Sequence, residues 1–148
     1  MSIKYISNYN MPNSNQLPIN KLNWQLEHDK CVLLIHDMQR YFIGFYEDDS
    51  QIVNTLINNL VKLRQWAKSQ NIPVVYTTQP YEQNENDRGL LSDLWGKGLT
   101  ASDISQQQIV EKLIPDDNDI VLTKWRYSAF KRSSLFDLMK NKGRNQLI

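Results

Sequence analysis

The chain has 148 residues, the size of one ordinary domain, and 41% of them are hydrophobic, enough to build a core. A net charge of +1 with 22% charged residues provides no bulk field for nucleic acid or an anionic membrane. One cysteine excludes an internal disulfide and a cysteine-based zinc site, and no apolar run approaches the length of a membrane span. The first residues do not read as a secretory leader, so the expectation is a soluble, cytoplasmic protein.

Residues 1–30 are polar, with Pro12, Pro18 and many asparagines, and read as an extended arm tacked to the surface by Tyr5, Leu22 and Trp24. Residues 31–148 read as one α/β unit. Its first strand is Cys31–His36, a short apolar run of the kind buried in a parallel sheet. Asp49 or Ser50 is placed to cap a helix whose apolar positions, Ile52, Val53, Leu56, Ile57, Leu60 and Val61, recur at helical spacing, with Asn54, Asn58, Lys62 and Gln65 on the other side. Asn71-Ile72-Pro73 ends that helix, and the β-branched run Val74–Thr78 predicts a second strand.

A loop from Gln79 to about Thr100 follows, too long to be a simple connection and packed by Trp95 and its leucines. Ser105–Ile114 predicts a short helix with Ile109, Val110 and Leu113 turned inward. Asp119–Thr123 predicts a third strand, Lys124–Arg132 a second loop, and Ser133 or Ser134 the cap of a helix ending at Gly143. Gln146-Leu147-Ile148 reads as the start of a fourth strand, so the sequence is expected to stop inside a domain. The order is that of an α/β fold with a mainly parallel sheet.

In such a sheet the carboxyl ends of the strands share one edge, where open α/β sheets bind ligands. Asp37, Gln79 and Lys124 directly follow the first three strands and should converge there. Asp37 emerges from an apolar strand, and burial favours the protonated form of a carboxylic acid, which suits a group that must hold a proton and then release it. The alternative for Asp37 is a helix cap. The long loop adds Arg88, able to clasp a carboxylate with its guanidinium fork, and Trp95; Phe42 adds a second apolar wall. Arg88, Lys124 and Arg126 together suggest an anionic substrate. Arg126 reads as more structural than functional, Trp125 as core, and Tyr127 and Phe130 as packing. His36 reads as a hydrogen-bonded core histidine, His28 as solvated, and Cys31 as a small buried hydrophobe at the wrong end of the sheet for the crevice. There is no dinucleotide or phosphate-loop fingerprint.

Leu34–Phe42, with its His36-Asp37-Met38-Gln39 centre, resembles the signature of isochorismatases of siderophore and related aryl-acid pathways. Tyr76–Pro80, Asp87–Leu91, Asp93–Gly96 and Leu122–Phe130 are similar to further segments of that family, and Tyr9, Met11-Pro12 and Trp24 to its arm. The first motif is shared with the wider cysteine-hydrolase superfamily, whereas the segments around Gln79, Arg88 and Lys124–Phe130 are specific to the isochorismatase branch. The resemblance implies a Rossmann-like sheet with helices on both faces and the first strand between the second and fourth. It also implies hydrolysis of the isochorismate vinyl ether to pyruvate and 2,3-dihydro-2,3-dihydroxybenzoate. Asp37 would be the general acid and Lys124 its orienting partner, with Gln79, Arg88, Trp95 and Phe42 binding substrate. It implies no metal or organic cofactor. Family domains continue beyond the fourth strand, so activity is not expected of these 148 residues by themselves. A homo-oligomer, and partnership with an aryl carrier protein or synthetase, stay open. So do two other identities: an amidase-type cysteine hydrolase whose nucleophile lies elsewhere, and a degenerate remnant that binds or dimerises with a complete homologue.

Overall fold

The structure, a computed structural model, describes residues 5–148, with the backbone alone at residues 101–103. Four parallel strands, β1 (Cys31–His36), β2 (Val74–Thr78), β3 (Ile120–Thr123) and β4 (Gln146–Leu147), form a sheet in the order β3-β2-β1-β4. β1 therefore lies between the second and fourth strands, as expected. Helices α1 (Arg40–Ile43), α2 (Gln51–Ser69), α3 (Glu85–Arg88), α4 (Leu91–Trp95) and α5 (Leu135–Asn141) fill the connections, with 3-10 turns at Ser14–Gln16, Ala101–Gln107 and Glu111–Leu113. No described helix is long and apolar enough to cross a membrane.

The sheet is covered on both faces because its strands alternate. Cys31, Leu33 and Ile35 of β1, with Val74 and Tyr76 of β2, pack against Ala67, Leu56 and Leu60 of α2. The intervening Val32 and Val75 face Leu135 and Met139 of α5. A strand buried on both sides is apolar over most of its length, which is why β1 and the start of β2 read as continuous runs rather than alternating ones. α2 ends where Asn71 adopts a left-handed backbone (φ 55°), and α5 ends at Gly143 with φ 65°.

Three expectations change. Residues 105–114 do not form an α-helix: the backbone bends around Gln108 so that Arg40 N–H donates to Gln108 O and Val110 N–H to Met38 O. Those pairings with the segment after β1 take backbone groups that a helix would have needed, although Ile109, Val110 and Leu113 do turn inward. The arm is not tacked down by Tyr5, Leu22 and Trp24, which are exposed, Trp24 by 86%. Polar groups hold it instead: Asn8 Oδ1 accepts from Ser50 Oγ and Ile52 N, Ile6 N–H donates to Phe45 O, and Gln146 accepts from Glu27 N–H. The long loop carries two short helices; Leu91 and Leu99 are buried, while Leu90 and Leu94 are exposed.

Candidate active site

The last rungs of the sheet build the site. Asp37, one residue beyond β1, donates its N–H to Thr77 O at 3.2 Å. Lys124, one residue beyond β3, donates its N–H to Thr78 O at 2.8 Å. The end of β2 thus stands between the acid and the amine, and two strand spacings, about 10 Å, separate their backbones. A lysine side chain spans that gap: Lys124 Nζ lies 2.6 Å from Asp37 Oδ2. Both are withdrawn from solvent, with side-chain exposures of 5% for Lys124 and 15% for Asp37. Asp37 itself has a left-handed backbone (φ 54°), and the following helix is preceded by Gln39. Asp37 is therefore not a helix cap.

The second oxygen of Asp37 meets Thr77. The Thr77 hydroxyl donates to Oδ1 at 3.1 Å and accepts from the Asp37 N–H at 3.2 Å. His36 lies on the other side, its Nδ1 3.7 Å from Oδ2. It is not the core histidine expected: 40% of its side chain is exposed, because the final residue of β1 emerges at the sheet edge into a cavity. Burial lowers the His36 pKa from 6.5; Asp37 opposes that shift and Lys124 adds to it.

The cavity measures about 510 Å³, within the range of small-molecule sites. All six residues singled out in the sequence border it: Asp37, Lys124, Gln79, Arg88, Trp95 and Phe42. Its walls are largely aromatic, and Tyr41 meets both Phe42 and Phe45 edge-on at ring distances of 5.2 and 5.1 Å. Among the described residues that line it, Asp37 is the only acid, facing Lys124, Arg88 and Arg126. Such a balance attracts a negatively charged guest.

Two loops close over this space through specific contacts. Arg88 is buried and donates Nε–H to Gly96 O at 3.0 Å. Arg126 reaches across to the backbone carbonyl of Asp87, while the Asp87 carboxylate takes Arg132 at 2.8 Å. The Arg132 bond is the chief reason the Asp87 carboxyl titrates below the usual carboxylate range. Arg126 thus ties the loops together through a carbonyl rather than through an acid, and lines the cavity as well. Tyr127, expected as packing, is exposed, borders the cavity and accepts a 2.6 Å hydrogen bond from Trp95 Nε1. Phe130 is exposed and Trp125 only half-buried, the latter lying under the Arg132 guanidinium. Cys31 is fully buried at the far end of β1, where it contacts Glu27 O.

Sequence reading missed Gln39. Its side chain is 1% exposed; Nε2 donates to Gln79 O and Gln107 O, and Oε1 accepts from Gln79 N–H. Its sequence signals were a polar residue three places beyond an apolar strand and its place in the centre of the Leu34–Phe42 motif.

Residues 31–148 match the family model described as the isochorismatase domain. The chain belongs to the isochorismatase domain family. Over all 148 residues it is 49% identical to enterobactin synthase component B of Escherichia coli K12, covering 52% of that protein. It is 46% identical to the isochorismatase of Bacillus subtilis strain 168, again over the whole chain and 47% of the relative. The chain thus spans about half the length of these curated relatives. A solved cysteine hydrolase from Pseudomonas syringae pv. phaseolicola 1448A superposes with a TM-score of 0.73 at 20% identity, covering 89% of this chain and 62% of that one. At that identity the likeness concerns the fold, and it agrees with the isochorismatase-family sheet described above.

Proposed function

We propose that this isochorismatase-family site hydrolyses the vinyl ether of isochorismate, giving pyruvate and 2,3-dihydro-2,3-dihydroxybenzoate. The observation that carries the reading is the 2.6 Å contact between Lys124 and Asp37 beside an aromatic, cationic cavity. Asp37, when protonated, gives its proton to the terminal methylene carbon. The C=C π pair forms the new C–H bond, the O–H pair stays on the carboxylate, and positive charge develops at the ether-bearing carbon. Carbon protonation is intrinsically slow, and a positioned acid accelerates such steps by about 10²–10⁴-fold. The Asp37 carboxylate then stands beside the cation and stabilises it. Water adds to the cationic carbon and returns a proton to Asp37, and the hemiketal breaks its C–O bond to release the ketone and the alcohol.

Lys124 orients the Asp37 carboxyl and offers a donor to a substrate oxygen. Arg88, with Arg126 nearby, supplies positive charge for the substrate carboxylates, and its planar fork suits them. Gln79 offers its amide to a hydroxyl, while Phe42 and Trp95 flank the ring. The relatives named for enterobactin synthesis and isochorismatase activity support this assignment and a siderophore setting. Assembly with other synthase components belongs to the same proposal.

Because the chain spans half of its relatives, turnover is measured on the 148 residues and on the same residues continued by the C-terminal half of the Bacillus subtilis isochorismatase. Pyruvate is followed through lactate dehydrogenase. The expectation is release by the continued chain and none from its Asp37→Asn variant. A folded, continued chain that binds isochorismate and yields no pyruvate refutes the reading.

A further inference from the structure

Thr77 occupies a central strand at 1% exposure, on the face of the sheet whose buried cluster is built from valine, leucine, isoleucine, methionine and alanine. A β-branched apolar side chain would serve the strand and the packing equally well. Both hydrogen bonds of its hydroxyl go to one residue, Asp37: the oxygen accepts from the Asp37 N–H, and the hydroxyl proton is thereby directed onto Asp37 Oδ1. Lys124 holds the other oxygen. The two carboxyl oxygens are gripped from two directions, which fixes the plane of the group. A carboxylate has about four lone-pair positions, so each oxygen keeps one for a proton or a substrate.

We propose that Thr77 is a positioning residue for the Asp37 acid, using its hydroxyl both to set the carboxyl plane and to take up part of the charge left when the proton departs. The proposal rests on the acid role given to Asp37 above. A neutral donor on the developing carboxylate strengthens as charge accumulates, because hydrogen bonds to ionised groups are about twice as strong as neutral ones. The hydroxyl is pre-aimed by the backbone N–H, so no reorientation is needed at the moment of transfer. The same N–H to hydroxyl bond also supports the left-handed backbone of Asp37.

The test compares Thr77→Val, which keeps the shape and loses the donor, with Thr77→Ser, which keeps the donor. In the 148-residue chain, ¹³C NMR of the Asp37 carboxyl follows its ionisation; the midpoint is expected to move to higher pH in Thr77→Val and to return in Thr77→Ser. In the continued chain, kcat for pyruvate release should fall about tenfold to a hundredfold in Thr77→Val with KM little changed, and the alkaline limb of the pH–rate profile should move upward. Should Thr77→Val fail to fold, the wild-type hydroxyl proton is read directly, and its resonance should shift together with the Asp37 carboxyl titration. An Asp37 midpoint equal in wild type and Thr77→Val, or a hydroxyl resonance blind to Asp37 ionisation, overturns the proposal. A wild type that titrates as described yet releases no pyruvate from any form overturns the reaction assigned above and leaves the Thr77–Asp37 coupling standing.

Discussion

Gln39 grips the backbone of Gln79 with both ends of its amide, donating to the carbonyl at 3.0 Å and accepting from the N–H at 2.7 Å. A third bond runs to Gln107 O at 2.9 Å. One buried side chain thus replaces the rung that β1 and β2 would have made had they continued, and anchors the 3-10 segment beside them. Replacing Gln39 with leucine keeps the volume but strands three backbone groups. Each buried group left unpaired costs about 1–3 kcal/mol, and relaxation keeps the sum below the additive value. The expected loss for Gln39→Leu is about 3 kcal/mol in urea denaturation. Since Gln79 is released at the same time, KM for isochorismate should rise more than kcat falls. A variant as stable as wild type would show that the amide is not what sets the end of β2.

Asp37 combines a proposed chemical role with a backbone that side chains avoid. Its φ of 54° costs an ordinary residue about 1–2 kcal/mol, whereas asparagine and aspartate tolerate the region. Asp37→Asn and Asp37→Ala should both abolish pyruvate release but differ in stability. Asparagine keeps an oxygen for the buried Lys124 ammonium; alanine leaves that cation without its partner and adds backbone strain. Unfolding free energy should therefore be lower for alanine than for asparagine by about 2–4 kcal/mol. Equal stabilities would mean that neither the φ angle nor the Lys124 contact matters to the fold.

What the sequence revealed follows from distance along the chain. β1 and β2 were legible because a doubly covered strand is apolar over most of its length, and Asp37 and Lys124 because each directly follows a strand. Gln79, Arg88, Trp95 and Phe42 also reached the cavity. Hidden features depended on contacts between distant segments. Val110 and Gln108 pair with Met38 and Arg40, which no local periodicity encodes, so the sequence predicts a helix where the chain bends. His36 reads as core by continuity with an apolar run, whereas the last residue of a strand can turn into the crevice its neighbours create. Tyr127 borders the cavity beside Trp95, 32 positions earlier, whose Nε1 donates to its hydroxyl.

His36 gives the site a pH signature in stability. Burial lowers its pKa below 6.5; around it stand Asp37, which opposes the shift, Lys124, which adds to it, and the more distant cavity cations Arg88 and Arg126. In the window just under pH 6.5 the unfolded chain binds more protons at this position than the folded one, so unfolding free energy rises with pH there. The contribution is fully present above 6.5 and is lost as pH falls through the folded value. In His36→Gln this part of the slope should vanish in the window just under pH 6.5 while the carboxylate contributions at lower pH remain. Chemical denaturation across that range measures it. A variant with an unchanged slope would show that His36 protonates as freely in the fold as in the unfolded chain.

Gly98 forms the seat of Arg88. A β-carbon at this position would stand 2.8 Å from the guanidinium carbon and at similar distance from both terminal nitrogens, closer than side chains tolerate, and the backbone φ is +72°. Gly96 is the comparison: its φ is +62°, nothing stands within 4 Å of the same added atom, and it meets Arg88 through its backbone carbonyl instead. Both substitutions strain a backbone that glycine favours, Gly96 at φ 62° and ψ −155° in a region essentially reserved for glycine, and only the second puts a β-carbon against the arginine. If Arg88 holds a substrate carboxylate, Gly98→Ala should raise KM for isochorismate about tenfold or more over Gly96→Ala, since a charge-assisted hydrogen bond is worth roughly 1.5–3 kcal/mol. Their kcat values should stay close, because the Asp37–Lys124 contact lies on other elements. Matching KM values in the two alanine variants would separate Arg88 from substrate binding and return it to a purely structural role.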